Sequence, residues 1–144
     1  MPNWNTVIRM LESDEPDYAE IAALITPSAL NRLRELVRTG EPLIASKATH
    51  LASLVPAPEM MFVIADAANL KEPMVRVAAA AAIGAAQQQI RSLQADEADV
   101  IDSHTETLER LLHDPDPGVR KRANRSQRTL LDGPIIQSGE GLVR

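Results

Sequence analysis

The chain of 144 residues contains no cysteine. Disulfides, thiolate nucleophiles and cysteine-built zinc sites are excluded, and the composition suits a reducing compartment. Aromatic residues are almost as scarce, with Trp4, Tyr18 and Phe62 the whole set. Alanine, leucine, isoleucine, valine and methionine must then fill the core. Such side chains favour closely packed helices over sheets, which draw on aromatic and β-branched residues. Long apolar runs are missing too. The longest, Val75 to Ala86, is broken by Arg76 and Gly84 and falls well short of the roughly 20 residues needed to cross a bilayer. The start Met1-Pro2-Asn3-Trp4 has no basic region followed by an apolar stretch, so no secretory leader is read there. These features lead us to expect a soluble, cytoplasmic chain without membrane contact.

Catalytic signatures are also wanting. No HExxH, GxSxG or glycine-rich phosphate loop occurs. His50, His104 and His113 fall on separate predicted elements. Asp102, His104 and Glu106 are close in sequence, but polar residues at a solvated helix start explain them better than a metal does. No catalytic residue, metal or cofactor is expected. The net charge of −5 argues against general nucleic-acid affinity.

What the chain does have is an internal repeat. The pairs Glu15-Pro16, Glu41-Pro42, Glu72-Pro73 and Asp116-Pro117 are each followed, six residues after the proline, by Ala22, Ala48, Ala79 and Ala123. Two residues after each proline stands a large, mainly apolar residue: Tyr18, Ile44, Val75 or Val119. The large residue and the alanine are four apart and share one helix face. Proline starts a helix well and cannot continue the previous one. The preceding acid suits the positive end of the helix dipole. Each unit therefore reads as a turn and the second helix of a hairpin, and such hairpins must stack to bury both faces. The pattern predicts an all-α fold of about four antiparallel hairpins, an α-solenoid, with one domain over 1–134 and a tail over 135–144, docked or loose.

Periodicity places the helices. They fall at 4–13 (Trp4, Val7, Ile8, Leu11) and 16–25 (Ile21, Ala22, Leu24 and Ile25 inward). Thr26-Pro27 caps the next, striped by Leu30, Leu33, Leu36 and Val37 and ended by Gly40 as a left-handed residue. Glu41-Pro42 opens a helix to Val55, and 59–70 forms a strongly apolar one. Glu72-Pro73 opens the longest, 74–93, with Val75, Ala79, Ala82, Ile83 and Ala86 inward. Residues 94–102 read as an acidic connector, and Ser103 with Glu106 as a capping box for 104–112. The last helix spans 118–131, ended by Gly133-Pro134.

Two segments resemble the HEAT-repeat family, in its bacterial HEAT-like form. They are Lys71-Glu72-Pro73-Met74-Val75-Arg76-Val77-Ala78-Ala79-Ala80-Ala81-Ala82-Ile83-Gly84 and Asp114-Pro115-Asp116-Pro117-Gly118-Val119-Arg120-Lys121-Arg122-Ala123. The family's Val-Arg pair falls on Val75-Arg76 and Val119-Arg120. Ala45 replaces the arginine in the second unit, and Tyr18-Ala19 replaces the pair in the first. The resemblance covers about 15–131 and implies a HEAT-like superhelix whose usual role is protein–protein interaction. It also implies that Arg76 pairs with Glu72 and Arg120 with Asp116, as turn chemistry rather than a site. Some members are bilin lyases or lyase-like chaperones; others repair DNA or are metal-dependent hydroxylases. This chain lacks the His-Glu dipeptides of the hydroxylating members.

Two surfaces are candidates for a partner. One is the small-residue strip Val77, Ala80, Ala81, Gly84 and Gln88, on the face where HEAT second helices line a concave surface. The other is the basic face Lys121, Arg125 and Arg128, spaced to share one side of the last helix. The expected function is a non-catalytic protein-interaction module or small scaffold with a protein partner. A bilin-lyase-like accessory subunit, and a nucleic-acid binder using the basic last helix, are the alternatives. A homodimer is a further expectation, through Trp4, Val7 and Leu11 or through Ile135 and Ile136.

Overall fold

A computed structural model of the chain describes residues 3–86 and 98–138, with side-chain surroundings as far as Arg128. Among them every regular element is a helix. Helix α1 spans Trp4–Leu11, α2 Tyr18–Ala22, α3 Leu30–Thr39 and α4 Pro42–Leu54. Helix α5 spans Met61–Ala68, α6 Pro73–Ala85, α7 Ala98–Leu112 and α8 Pro117–Ser138. Single 3₁₀ turns at Pro27–Ala29 and Pro58–Met60 lead into α3 and α5. None of these helices is long and apolar enough to cross a membrane.

The helix starts follow local chemistry. Asn3 caps α1, its side-chain oxygen accepting from the amides of Asn5 and Thr6 at 3.0 and 3.3 Å. Pro42, Pro73 and Pro117 each occupy the first helical position of α4, α6 and α8, where the missing N–H costs nothing. The acid before them acts unevenly. Asp116 accepts from the amides of Gly118 and Val119 at 2.8 and 3.1 Å, whereas Glu41 and Glu72 make no side-chain cap. The shorter aspartate suits the cap geometry.

Packing arranges the helices in two rows. Helices α2, α4, α6 and α8 lie against one another in that order, as do α3, α5 and α7. Each of the pairs α3–α4, α5–α6 and α7–α8 also packs together. The first unit departs from this scheme, since α1 and α2 both lean on α4. Helix α6 sits at the centre, between α4 and α8. Its inward stripe Val75, Ala79, Ala82, Ile83 and Ala86 is buried, as are Ala45, Ala48, Leu51 and Ala52 of α4. Alanine at so many contact positions brings the helix backbones close together. One close approach is between α6 and α8, where Ser126 Oγ donates to the Ala80 carbonyl at 2.6 Å. A Cβ on Gly84 would stand 3.0 Å from that same hydroxyl oxygen.

Several expectations are corrected. Helix α2 starts at Tyr18, with Asp17 rather than Glu15 as its cap, accepting from the Glu20 amide at 3.1 Å. It ends at Ala22, and the turn after it leaves Leu24 45% exposed instead of inward. Gly40 is extended, with φ −76°, not left-handed. Glycine is required there because a Cβ would lie 2.5 Å from the Leu36 carbonyl oxygen. Helix α7 begins at Ala98, so 98–102 is helix and Ser103 lies inside it, not at a cap. Its buried stripe is Val100, His104, Thr107 and Leu111, and two polar members masked the periodicity. Helix α8 runs through Gly133 and Pro134 to Ser138; an interior proline removes one backbone hydrogen bond and crowds the carbonyl four residues back, which weakens or kinks a helix but does not always end it. The first part of the predicted tail is therefore helical. The end of the predicted helix 74–93 lies outside the described residues.

Replacing Gly84 with leucine drives a side chain into the α6–α8 contact. We expect a loss of about 1–3 kcal/mol in urea-induced unfolding, with Gly84→Ala costing less because alanine's helix propensity, worth about 1 kcal/mol over glycine, offsets part of the strain.

Candidate functional site

A buried and multiply bonded side chain is that of Asp114, in the turn between α7 and α8. Its side chain is 0% exposed. A buried carboxylate needs partners on both oxygens, and it has them. Arg76, from the first turn of α6, grips it with Nε to Oδ2 at 2.8 Å and Nη2 to Oδ1 at 3.2 Å. The Asp116 amide donates to Oδ1 at 2.9 Å, and Arg110 reaches Oδ2 at 3.4 Å. Burial works to raise this carboxyl's pKa, but the hydrogen bonds from Arg76 and Asp116 and the charges of Arg76 and Arg110 prevail and hold it below the usual carboxylate value.

The remaining guanidinium nitrogen of Arg76 donates to the carbonyls of Leu70 and Lys71 at 3.0 and 2.6 Å. Arg120 repeats this, donating to the carbonyl of Asp114 at 2.6 Å. The Leu70 and Asp114 carbonyls each lie six residues before their arginine. The expected partners are thus corrected: Arg76 pairs with Asp114 of the following unit rather than Glu72, and Arg120 binds the turn carbonyl rather than the Asp116 carboxylate. Asp114 and Asp116 divide the work, the first bridging units and the second capping α8.

The preceding joint is held from the other row. Arg34 of α3 grips Asp66 of α5 with Nε at 2.8 Å and Nη2 at 3.0 Å, and Arg38 adds a bond at 3.2 Å. Arg34 also lies over the Phe62 ring, 5.8 Å from its centroid. Burial opposes the Arg34 charge less strongly than its hydrogen bond to Asp66 favours it, and its pKa is raised. These two joints thus each have one acid bridged by two arginines. Further along, Lys47 ties α4 to the first turn through the Ser13 carbonyl at 2.8 Å.

Between α6 and α8 the packing leaves an open cleft of about 260 Å³, lined by Ala81, Gly84, Ala85, Arg122, Arg125 and Ser126. It joins residues from both predicted surfaces: Ala81 and Gly84 from the small-residue strip, and Arg125 from the basic face. Other members are placed differently. Ala80 is fully buried beneath α8, and Val77 is half-buried against the core. Lys121 and Arg128 are exposed but do not line the cleft. Gln88 lies outside the described residues. Arg122, Ala85 and Ser126 were not singled out from the sequence. A repeat register that placed Ser126 opposite Gly84 would have found them.

The histidines do not converge. His50 meets Tyr18 edge-on, with centroids 4.4 Å apart. His113 contacts Glu109 in the last turn of α7. His104 is buried against α6 with Nε2 unpartnered, while Asp102 and Glu106 are exposed. Among the described residues no three metal-ligating side chains cluster. Val7 and Leu11, candidates for a dimer contact, are wholly buried within the chain; Ile135 and Ile136 lie beyond the described side chains. No family model, curated protein or solved structure matches the chain.

The clasp sets two measurable behaviours. Arg76→Ala leaves the Asp114 charge buried with Arg110 alone, and should cost about 3–5 kcal/mol in urea unfolding. Arg76→Met with Asp114→Leu should recover most of that loss, because an apolar pair replaces a buried ion pair at little net cost. The clasp's contribution is present above the ordinary carboxylate pKa and is lost as pH falls through the lowered value of Asp114. His104 works at higher pH. Burial lowers its pKa below 6.5, against a hydrogen bond to the Ile83 backbone, so the unfolded chain takes up the proton first. Stability should therefore fall as pH drops below about 6.5, more gently in His104→Leu, with His50, also lowered by burial, contributing in the same sense.

Proposed function

We propose that the chain is a short HEAT-like α-solenoid that serves as a protein-interaction module. Support for the architecture comes from the two rows of helices and from the arginine–carbonyl register that Arg76 and Arg120 share. In a stack of this kind the second helices, α4, α6 and α8, line the concave side. The observation that carries the functional reading is the cleft where Ala81, Gly84 and Ala85 face Arg122 and Arg125. Small residues allow a partner's backbone to come close, and the guanidinium groups offer planar, multidentate donors to carboxylates. The partner is accordingly a protein segment with acidic residues. Nucleic acid is the weaker fit. No aromatic lines the cleft for base stacking, and the chain is net negative.

Affinity capture from the native organism, with the wild-type chain and two cleft variants as bait, tests this. A partner held by the wild type should be lost from Arg122→Glu/Arg125→Glu and from Ala81→Arg, with about tenfold weaker binding of the purified pair. Equal retention by all three baits would sink the proposal. Retention on heparin at physiological salt, lost in the same arginine variant, would favour nucleic acid instead.

A further inference from the structure

The surface that holds the α6–α8 cleft continues across α6 to α4. Counted from the prolines that open the helices, the first, fifth and eighth residues are Leu43, Lys47 and His50 on α4. On α6 they are Met74, Ala78 and Ala81, and on α8 Gly118, Arg122 and Arg125. The twelfth are Leu54 on α4 and Ala85 on α6. This spacing keeps to one helix face, and none of these residues is buried. Because α6 packs between α4 and α8, the three faces lie side by side. Ala78, Ala81 and Ala85 form a low floor with taller side chains along both edges. The α4 edge carries Leu54, 40% exposed, and Leu43 and Met74, 56% and 52% exposed, stand at the end nearest the prolines. The α8 edge carries Arg125 and Arg122, and Arg122 makes no ion pair among the described residues. Lys47 donates to a neutral carbonyl, that of Ser13. No position on the three faces is acidic. The nearest acids along the helices, Glu41, Glu72 and Asp116, precede the prolines. Arg122 stands six residues beyond Asp116, about 9 Å further along α8. That is about a screening length in physiological salt, so these acids do not neutralise it.

We propose that this groove receives an amphipathic helix of a partner protein, lying along α6 with leucine-sized side chains against Leu54 and acidic ones on Arg122. The proposal rests on the reading of the α6–α8 cleft as a protein site, and adds to it a second wall and the form of the occupant. Packed helices stand about 8–10 Å apart, which puts the axes of α4 and α8 about 16–20 Å from each other across α6. A helix with its side chains is about 10–12 Å across and touches both edges at once. A single extended strand, about 5 Å wide in its backbone, settles against one edge only. The alanine floor lets the incoming helix lie close to α6. The cationic edge without a facing acid selects carboxylates on one flank of that helix. Leu54 selects an apolar residue on the other flank, and Leu43 and Met74 extend the apolar contact beyond the end of the groove.

The test uses the full chain as bait for a phage-displayed library of random peptides about four helical turns long. Enriched peptides should carry Leu, Met or Phe on one helical flank and Asp or Glu a turn apart on the other, and should gain helical circular dichroism on binding. The tightest should bind about tenfold more weakly to Leu54→Gln, to Ala78→Gln and to Arg122→Glu. Leu54 and Ala78 lie in the groove but outside the α6–α8 cleft, and neither is part of the buried core. Asp102→Lys, an exposed change on α7, should leave binding unchanged. Acidic peptides that lose affinity for Arg122→Glu but keep it for Leu54→Gln and Ala78→Gln would overturn the groove and leave the cleft reading standing. Binders that stay extended, full binding by Arg122→Glu, or no enrichment over the unselected library would also overturn the proposal. Concentration-dependent dimerisation abolished by Ala78→Gln would do so too, by assigning the groove to a second copy of the chain.

Discussion

A carboxylate removed from water must be met by charge and by hydrogen bonds, and Asp114 imposes that requirement on the whole last joint. Satisfying it takes Arg76 from the preceding unit, Arg110 from the preceding helix and the amide of Asp116 in its own turn. Arg76 is fixed in return, since its third nitrogen is tied to the carbonyls that close the turn before α6. The first turn of α6 is thereby joined to the turn that leads into α8. Further along the same two helices Ser126 lies against Gly84 and Ala80. The close α6–α8 contact is a consequence of the clasp as much as of the small residues that permit it. Once this face is formed, the cleft beside it has Ala81 and Ala85 on one wall and Arg122 and Arg125 on the other.

The joints solve one problem by different chemistry. Where α6 meets α8, the ion pair lies in the second row, in a fully buried place. Where α4 meets α6, that position is apolar, and the bidentate pair lies in the first row, between Arg34 and Asp66. The Asp66 side chain is 15% exposed against 0% for Asp114. Water and salt therefore screen the first-row pair more, and it holds its joint less rigidly. A buried pair fixes orientation because any tilt leaves a charge unpaired. An apolar contact tolerates small shifts.

Much of this was legible in the residues. The acid–proline–alanine spacing located α4, α6 and α8 to within a residue at their starts, because proline chemistry is local. The inward stripe of α6 followed from helical periodicity alone. The failures have physical causes. Helix α7 was begun too late because His104 and Thr107 occupy inward positions that hydrophobic patterning reads as surface. Gly40 was given the wrong reason, because clash with the Leu36 carbonyl, not φ, demands glycine there. The Arg76 partner was sought in its own turn, where Glu72 is nearest in sequence. The true partner, Asp114, is 38 positions away, and only the packing of α6 against the α7–α8 turn brings it near. Local chemistry is written locally; contacts between distant helices emerge only when the packing of the whole fold is known.

That distinction also explains why the candidate cleft was read as two separate surfaces. On α6, Ala80 and Ala81 are neighbours that look alike in sequence, yet one is fully covered by α8 and the other lines the cleft. Which is which depends on the angle and height at which α8 arrives. Arg125 and Arg128 share a helix face, but only Arg125 reaches the cleft, because Arg128 stands almost a turn further along α8. A substitution that shifted α8 by one turn would preserve both sequence patterns and separate the two walls. The site is therefore a property of the joint rather than of either helix. Asp114, which touches no part of the cleft, acts as a positioning residue for it by fixing that joint.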